Sequence, residues 1–167
     1  SADVDKADLD AGPGMAVRRC SRQAAFADFN NDGRVDILVQ NMNEAPTMLL
    51  NASRGEGRWI KFSLRQPGGN RDALGAVSDV RSGPAGQQRV RRVANVRQRS
   101  FLGTNDPRMH VGLGSAGTCD VTVTWPGPER AKSEYKGLEA GKHWLLQREG
   151  EVASPLELPS FEVPTQD

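Results

Sequence analysis

The sequence predicts an all-β protein in two parts: a hairpin unit built around an acidic loop, then a β-sandwich or barrel-like module. Three observations predict it. Short apolar or alternating runs are separated by glycine- or proline-bearing turns, the spacing of a sandwich or barrel. The composition sets 18 Gly and 10 Pro against only 5% aromatic residues, which calls for many turns and short strands. No segment carries the periodicity of a convincing amphipathic helix.

Residues 1–25 read as irregular, opening with Asp3, Asp5, Asp8 and Asp10 and turning at Gly-Pro-Gly 12–14. A compact unit follows: Ala24-Ala25-Phe26-Ala27, the acidic loop 28–36, then Ile37-Leu38-Val39. That last run is β-branched at both ends and bounded by turn residues, so it reads as a buried strand. It is continuous rather than alternating, which asks for cover on both faces. Thr47-Met48-Leu49-Leu50 is a further candidate strand and completes a hairpin-like unit over about 1–54. RGEGR at 54–58 reads as a linker. The second module, 58–150, holds candidate strands at 59–64, 76–81, 87–93, 109–113, 119–125 and 143–148. The clearest is CDVTVTW at 119–125, where Cys, Val, Val and Trp alternate with Asp, Thr and Thr. The tail 151–167 has three prolines, several acids and little periodicity, and is expected to be extended or disordered.

The chain of 167 residues can bury one sizeable core or two small ones. No apolar run approaches the ~20 residues of a membrane span. A net charge of +1 gives no global pull toward nucleic acid or membrane. The start, SADVDKADLD, is polar and acidic, unlike a signal peptide. A secreted form of this chain is therefore expected to be a mature product or an excised fragment. Two cysteines make no disulfide framework. Cys119 shares a strand face with Val121, Val123 and Trp125 and reads as a buried, inert thiol. Cys20 lies in the basic stretch VRRCSR, and a Cys20–Cys119 bridge stays open for an oxidising compartment.

The loop reads Asp28-x-Asn30-x-Asp32-Gly33-x-x-Asp36. Calcium wants six to eight oxygens from carboxylates, amides and carbonyls, and a loop curling around an ion turns alternate side chains inward. Asp28, Asn30 and Asp32 then supply three ligands, Gly33 allows the sharp reversal, Arg34 lends its carbonyl with its side chain in solvent, and Asp36 closes the site. Three crowded carboxylates without an ion would repel one another. The alternative is a solvated Asx-rich turn, since Asn-Asp-Gly is a common turn sequence. The loop is no EF-hand: Val39 stands at the twelfth position, where Glu is needed, and the flanks are strand-like.

The stretch AFADFNNDGRVDILV resembles the FG-GAP (VCBS) repeat, the unit of integrin-type β-propellers. Downstream, GNRDALGAVSDV, QQRVRRV, SFLGTNDPRMHVGLG and VTVTWPG resemble the ASPIC/UnbV domain. The two in this order are similar to the C-terminal part of cartilage-acidic-protein-1-like proteins, over about residues 24–130. The resemblance implies an extracellular calcium-binding protein of adhesive or matrix type without established enzymatic activity. Carried over, its metal ligands are Asp28, Asn30, Asp32 and Asp36. Asn30 stands where the family often has Asp, and SFLGT departs from the commoner G-Y-L-S-Q.

Other signals read more plainly. Gly112-Leu113-Gly114-Ser115-Ala116-Gly117 matches G-x-G-x-x-G, but a strand follows where a dinucleotide site needs a helix; a hairpin turn is the reading. His110 and His143 have no zinc spacing, and His110 reads as a strand residue satisfied by hydrogen bonds. Asn105-Asp106-Pro107-Arg108 reads as a turn, with an Asp106–Arg108 pair as a structural alternative. Arg89, Arg91 and Arg92 lie in an arginine-rich stretch, 81–99, that reads as solvated strand edges. The functional alternative there is polyanion binding. Asn51-Ala52-Ser53 is a formal glycosylation sequon.

The leading expectation is a non-enzymatic, Ca2+-binding module of a secreted or cell-surface protein, for adhesion, matrix or ligand binding. Its expected partner is an extracellular protein or an acidic polysaccharide, with no nucleic acid and no membrane span. One rival is a structural C-terminal cap of a β-propeller. Another is an accessory protein of a biosynthetic cluster of the enediyne UnbV type, with an undetected enzymatic activity. The D-x-N-x-D-G pattern occurs once, whereas a propeller closes with about four to eight blades. Missing blades or another chain are therefore expected to complete the hairpin.

Overall fold

The computed structural model describes residues 19–84, 87–96 and 103–159. Expectations placed on the Gly-Pro-Gly turn at 12–14, on Arg97 and Arg99, on 100–102 and on the end of the tail lie outside those residues. The described chain is all-β and forms three sheets. The first is a meander of β1 (Ser21–Ala27), β2 (Asp36–Asn41) and β3 (Thr47–Leu49). The second orders as β11-β10-β4-β7, from β4 (Arg58–Arg65), β7 (Met109–Gly114), β10 (His143–Gln147) and β11 (Val152–Leu156). The third orders as β6-β5-β8-β9, from β5 (Val77–Ser82), β6 (Arg89–Ala94), β8 (Thr118–Thr124) and β9 (Lys132–Glu139). All pairings are antiparallel except β4 with β10.

The second and third sheets face each other as an open sandwich rather than a closed barrel. Alternation sends Ile60, Phe62 and Leu64 of β4 and Met109, Val111 and Leu113 of β7 inward. They meet Val80, Cys119, Val121, Val123 and Tyr135 of the opposing sheet in one buried cluster. Burying such side chains contributes roughly 1.5–3 kcal/mol each, and this cluster is what holds the module together. Trp125 donates from Nε1 to Ser133 Oγ at 2.9 Å, and Tyr135 donates its hydroxyl to the Gln147 carbonyl at 2.8 Å. The two largest polar-tipped aromatics of the core are thus satisfied.

Three strands depart from the sequence reading. β1 begins at Ser21, inside the stretch 1–25 that reads as irregular. In β9 the inward residues are Ser133, Tyr135 and Leu138, with Gly137 at φ 65° breaking the two-residue period. In β11, part of the segment read as an extended or disordered tail, Pro155 sits on the sheet's edge strand, where its missing N–H does no harm. Both cysteines are free, Cys20 exposed and Cys119 buried, so no bridge joins them.

The three-stranded meander has no core of its own. Pairing puts Phe26, Ile37 and Leu49 on one face and Ala25, Leu38 and Met48 on the other. Ile37, Leu38 and Val39, expected to be buried, are only half-buried. Phe26 stays 46% and Met48 37% exposed, and none of these residues belongs to the buried cluster of the sandwich. The expected two-sided cover is incomplete.

Candidate functional site

The site forms where the acidic loop lies on the outer face of the β11-β10-β4-β7 sheet. Strand β4 sends Trp59, Lys61 and Ser63 outward, opposite its core residues. Lys61 is paired in register with His110 of β7 and His143 of β10, so three bases form a row across the sheet. The loop covers the middle of that row. The Lys61 side chain is 2% exposed and bears on Oδ2 of Asp28, whose side chain is fully buried. Its ammonium also lies 5.4 Å from the Trp59 ring centroid, a second favourable contact for the charge.

Gly33 has φ 89°, and a Cβ there would fall inside the indole ring of Trp59. This glycine therefore serves a close approach to another module as well as the loop's reversal. A second clamp comes from the Asn105-Asp106-Pro107-Arg108 stretch. Arg108 donates from Nε to Asp106 at 2.7 and 2.8 Å, from Nη1 to Asn31 Oδ1 at 3.0 Å, and from Nη2 to the Asp28 carbonyl at 3.4 Å. Asn105 Oδ1 accepts the Phe26 amide at 3.0 Å. The turn is also a receiver for the hairpin. Phe26, Asp28, Val93, Asn105, Arg108 and His110 line a cavity of about 180 Å³ beside it.

Each of the four side chains assigned to the metal, Asp28, Asn30, Asp32 and Asp36, has an internal donor. Asp28 accepts the amides of Asp32 at 2.9 Å and Gly33 at 2.8 Å. Asp36 accepts those of Phe29 and Asn51, both at 2.9 Å. Asn30 takes the Asp32 amide on Oδ1 at 3.3 Å and donates to Asp32 Oδ2 at 2.8 Å. The Arg34 side chain lies in solvent as expected, 44% exposed, and from there Nη2 reaches Asp32 Oδ2 at 2.6 Å and Nε donates to the Asn51 carbonyl at 2.7 Å. Partial burial pushes the Asp32 carboxyl up, but the Arg34 amide, the Asn30 amide and the Arg34 guanidinium together hold it below the usual carboxylate range. These donors are spread around the loop. Among the described residues no group of three or more His, Cys, Asp or Glu side chains converges as a metal holder.

His110 departs from the expectation of a strand residue satisfied by hydrogen bonds. Nδ1 of His110 and of His143 is buried without a partner. His143 Nε2 lies 3.1 Å from Ser63 Oγ, the contact of a nucleophile–base pair, but among the described residues no acid orients the ring from its other side. Burial, then the charges of Arg108 and Lys61, push His143 down to about 4. Burial and Lys61 likewise lower His110.

Elsewhere the structure separates what the sequence grouped. On edge strand β6, Arg89 and Arg91 pair with Ser82 and Val80, the inward-facing residues of β5, whereas Arg92 pairs with Asp79 on the outer face. Arg92 reaches Asp79 at 2.6 and 2.9 Å. The three cations thus share no single face. Inward-pointing charges on an edge strand discourage further pairing. The Gly112–Gly117 segment joins β7 to β8 in the opposing sheet; it is an inter-sheet turn rather than a hairpin. Asn51 of the sequon donates from Nδ2 to the Val35 carbonyl at 3.1 Å.

Sequence reasoning missed Lys61 and Trp59. Alternation in WIKFSL places them on the polar face of a strand, where solvent is the default. Only the long-range approach of the loop buries them. Residues 66–153 match the family described as ASPIC and UnbV. The match includes Arg108, His110 and His143 and begins after the acidic loop and Lys61. No curated protein and no solved structure matches the sequence.

Proposed function

The chain belongs to the ASPIC and UnbV family, and we propose that it is a non-enzymatic structural module that braces and closes off a propeller-type hairpin. The observation that carries this reading is the joint itself. The buried Asp28–Lys61 pair fixes the hairpin's loop to the sandwich, while Phe26 and Met48, on opposite faces of the hairpin, stay 46% and 37% exposed. One end of the meander is anchored and both faces are left apolar. Such faces mark a place for protein neighbours, either further blades of the same type or another chain.

Hydrogen exchange on the dilute full chain tests this. Amides of Ile37, Leu38 and Val39 are expected to exchange more slowly than a free segment but faster than those of Ile60, Phe62 and Leu64, because their sheet lacks cover. Equal protection of the two sets in a monomer would show that the hairpin needs no neighbour, and would overturn the reading.

A further inference from the structure

We infer that Lys61 is the resident cation of the acidic loop, so that the joint between hairpin and sandwich forms without a divalent metal. A buried carboxylate demands a counter-charge or a full set of donors. Asp28 has both: two backbone amides and the Lys61 ammonium. The ammonium is held in place by a strand paired on both sides. The Lys61 side chain is 2% exposed, and a calcium ion bound to the same carboxylate would sit within a few ångströms of its ammonium, where like charges repel strongly in a site closed to water.

The rest of the loop is arranged to the same end. Asp36 spends its oxygens on the amides of Phe29 and Asn51. Asp32 spends its own on the Arg34 amide, the Arg34 guanidinium and the Asn30 amide. Lys61 and Arg34 together offset two of the three carboxylates, which removes the repulsion that would otherwise argue for an ion. Calcium requires six to eight oxygens aimed at one point; here the oxygens are aimed at separate N–H groups. The loop keeps the residue spacing of a calcium site, and the cationic role passes to a lysine supplied by the neighbouring module.

Melting of the unmodified full chain in EDTA and in millimolar calcium chloride is expected to give the same midpoint, and calorimetric titration with calcium to be silent. Lys61→Met is expected to lower the melting temperature by about 10 °C, because it strands a buried carboxylate. Adding Asp28→Asn to that variant should recover part of the loss. A calcium-dependent rise in the midpoint of the unmodified chain would overturn the inference, whether or not Lys61→Met folds. So would a Lys61→Met protein that melts like its parent. Neither result bears on the exchange experiment, which reads cover on the hairpin faces rather than the cation.

Discussion

Gly33→Ala is the most incisive perturbation of the joint. Two costs add. The backbone at φ 89° is a conformation that a residue with a Cβ resists, a strain of roughly 1–2 kcal/mol. The new methyl would also occupy the Trp59 indole, so the ring must move or the loop must lift. Overpacking of this kind costs about 2 kcal/mol, giving a total of roughly 3–4 kcal/mol. Urea denaturation measures it, and a cycle with Trp59→Ala divides it. Without the indole the methyl has room, so Gly33→Ala in that background should cost only the backbone share. The coupling between the two sites is then about 2 kcal/mol, as expected for residues in contact. A Gly33→Ala cost below about 1 kcal/mol, or strict additivity with Trp59→Ala, would refute the assignment of this glycine to the inter-module contact.

The remaining predictions concern titration and thiols. His143 sits at about 4 in the folded chain against an ordinary 6.5, so its contribution is full above pH 6.5 and is lost as pH falls through 4. That is about 3 kcal/mol at most; His143→Gln should flatten the acid limb of a stability–pH curve, and an unchanged limb would exclude His143 as its source. Burial pushes the Cys119 thiol up to about 11, while Cys20 is exposed. A thiol reagent at pH 8 should therefore titrate one cysteine in the native chain and two after denaturation, and two fast native thiols would contradict the packing of β8.

Strands were legible where alternation was strong and uninterrupted. CDVTVTW shows its period in every residue, and β8 lies where the period puts it. β9 escaped because its outward Lys132, Glu134 and Lys136 leave only Ser133, Tyr135 and Leu138 to signal the inner face, and Gly137 shifts the phase. The acidic loop's shape was legible from Asp28, Gly33 and Asp36, since local spacing dictates a tight turn. Its long-range partners were not. Lys61 lies 33 residues beyond Asp28 and Arg108 lies 77 residues beyond Asn31, and neither position carries a local mark of burial. What alternation reports is which side of a strand a residue takes, not what later covers that side.

The parallel pairing of β4 with β10 has a bearing on the order of folding. Strand β4 ends at Arg65, and β10 begins only at His143. During synthesis β4 therefore carries an open edge until almost the whole described chain has emerged, while the β6-β5-β8-β9 sheet can assemble from nearer segments. Closing so long a loop is slow, and an unpaired edge is an invitation to wrong partners in the interval. The row His110–Lys61–His143 draws on three strands, the last of them β10. The platform for the acidic loop is thus finished long after the loop itself is made. A ribosome-bound chain halted before His143 should hold the hairpin undocked, and emergence of β10 should be the event that seats it.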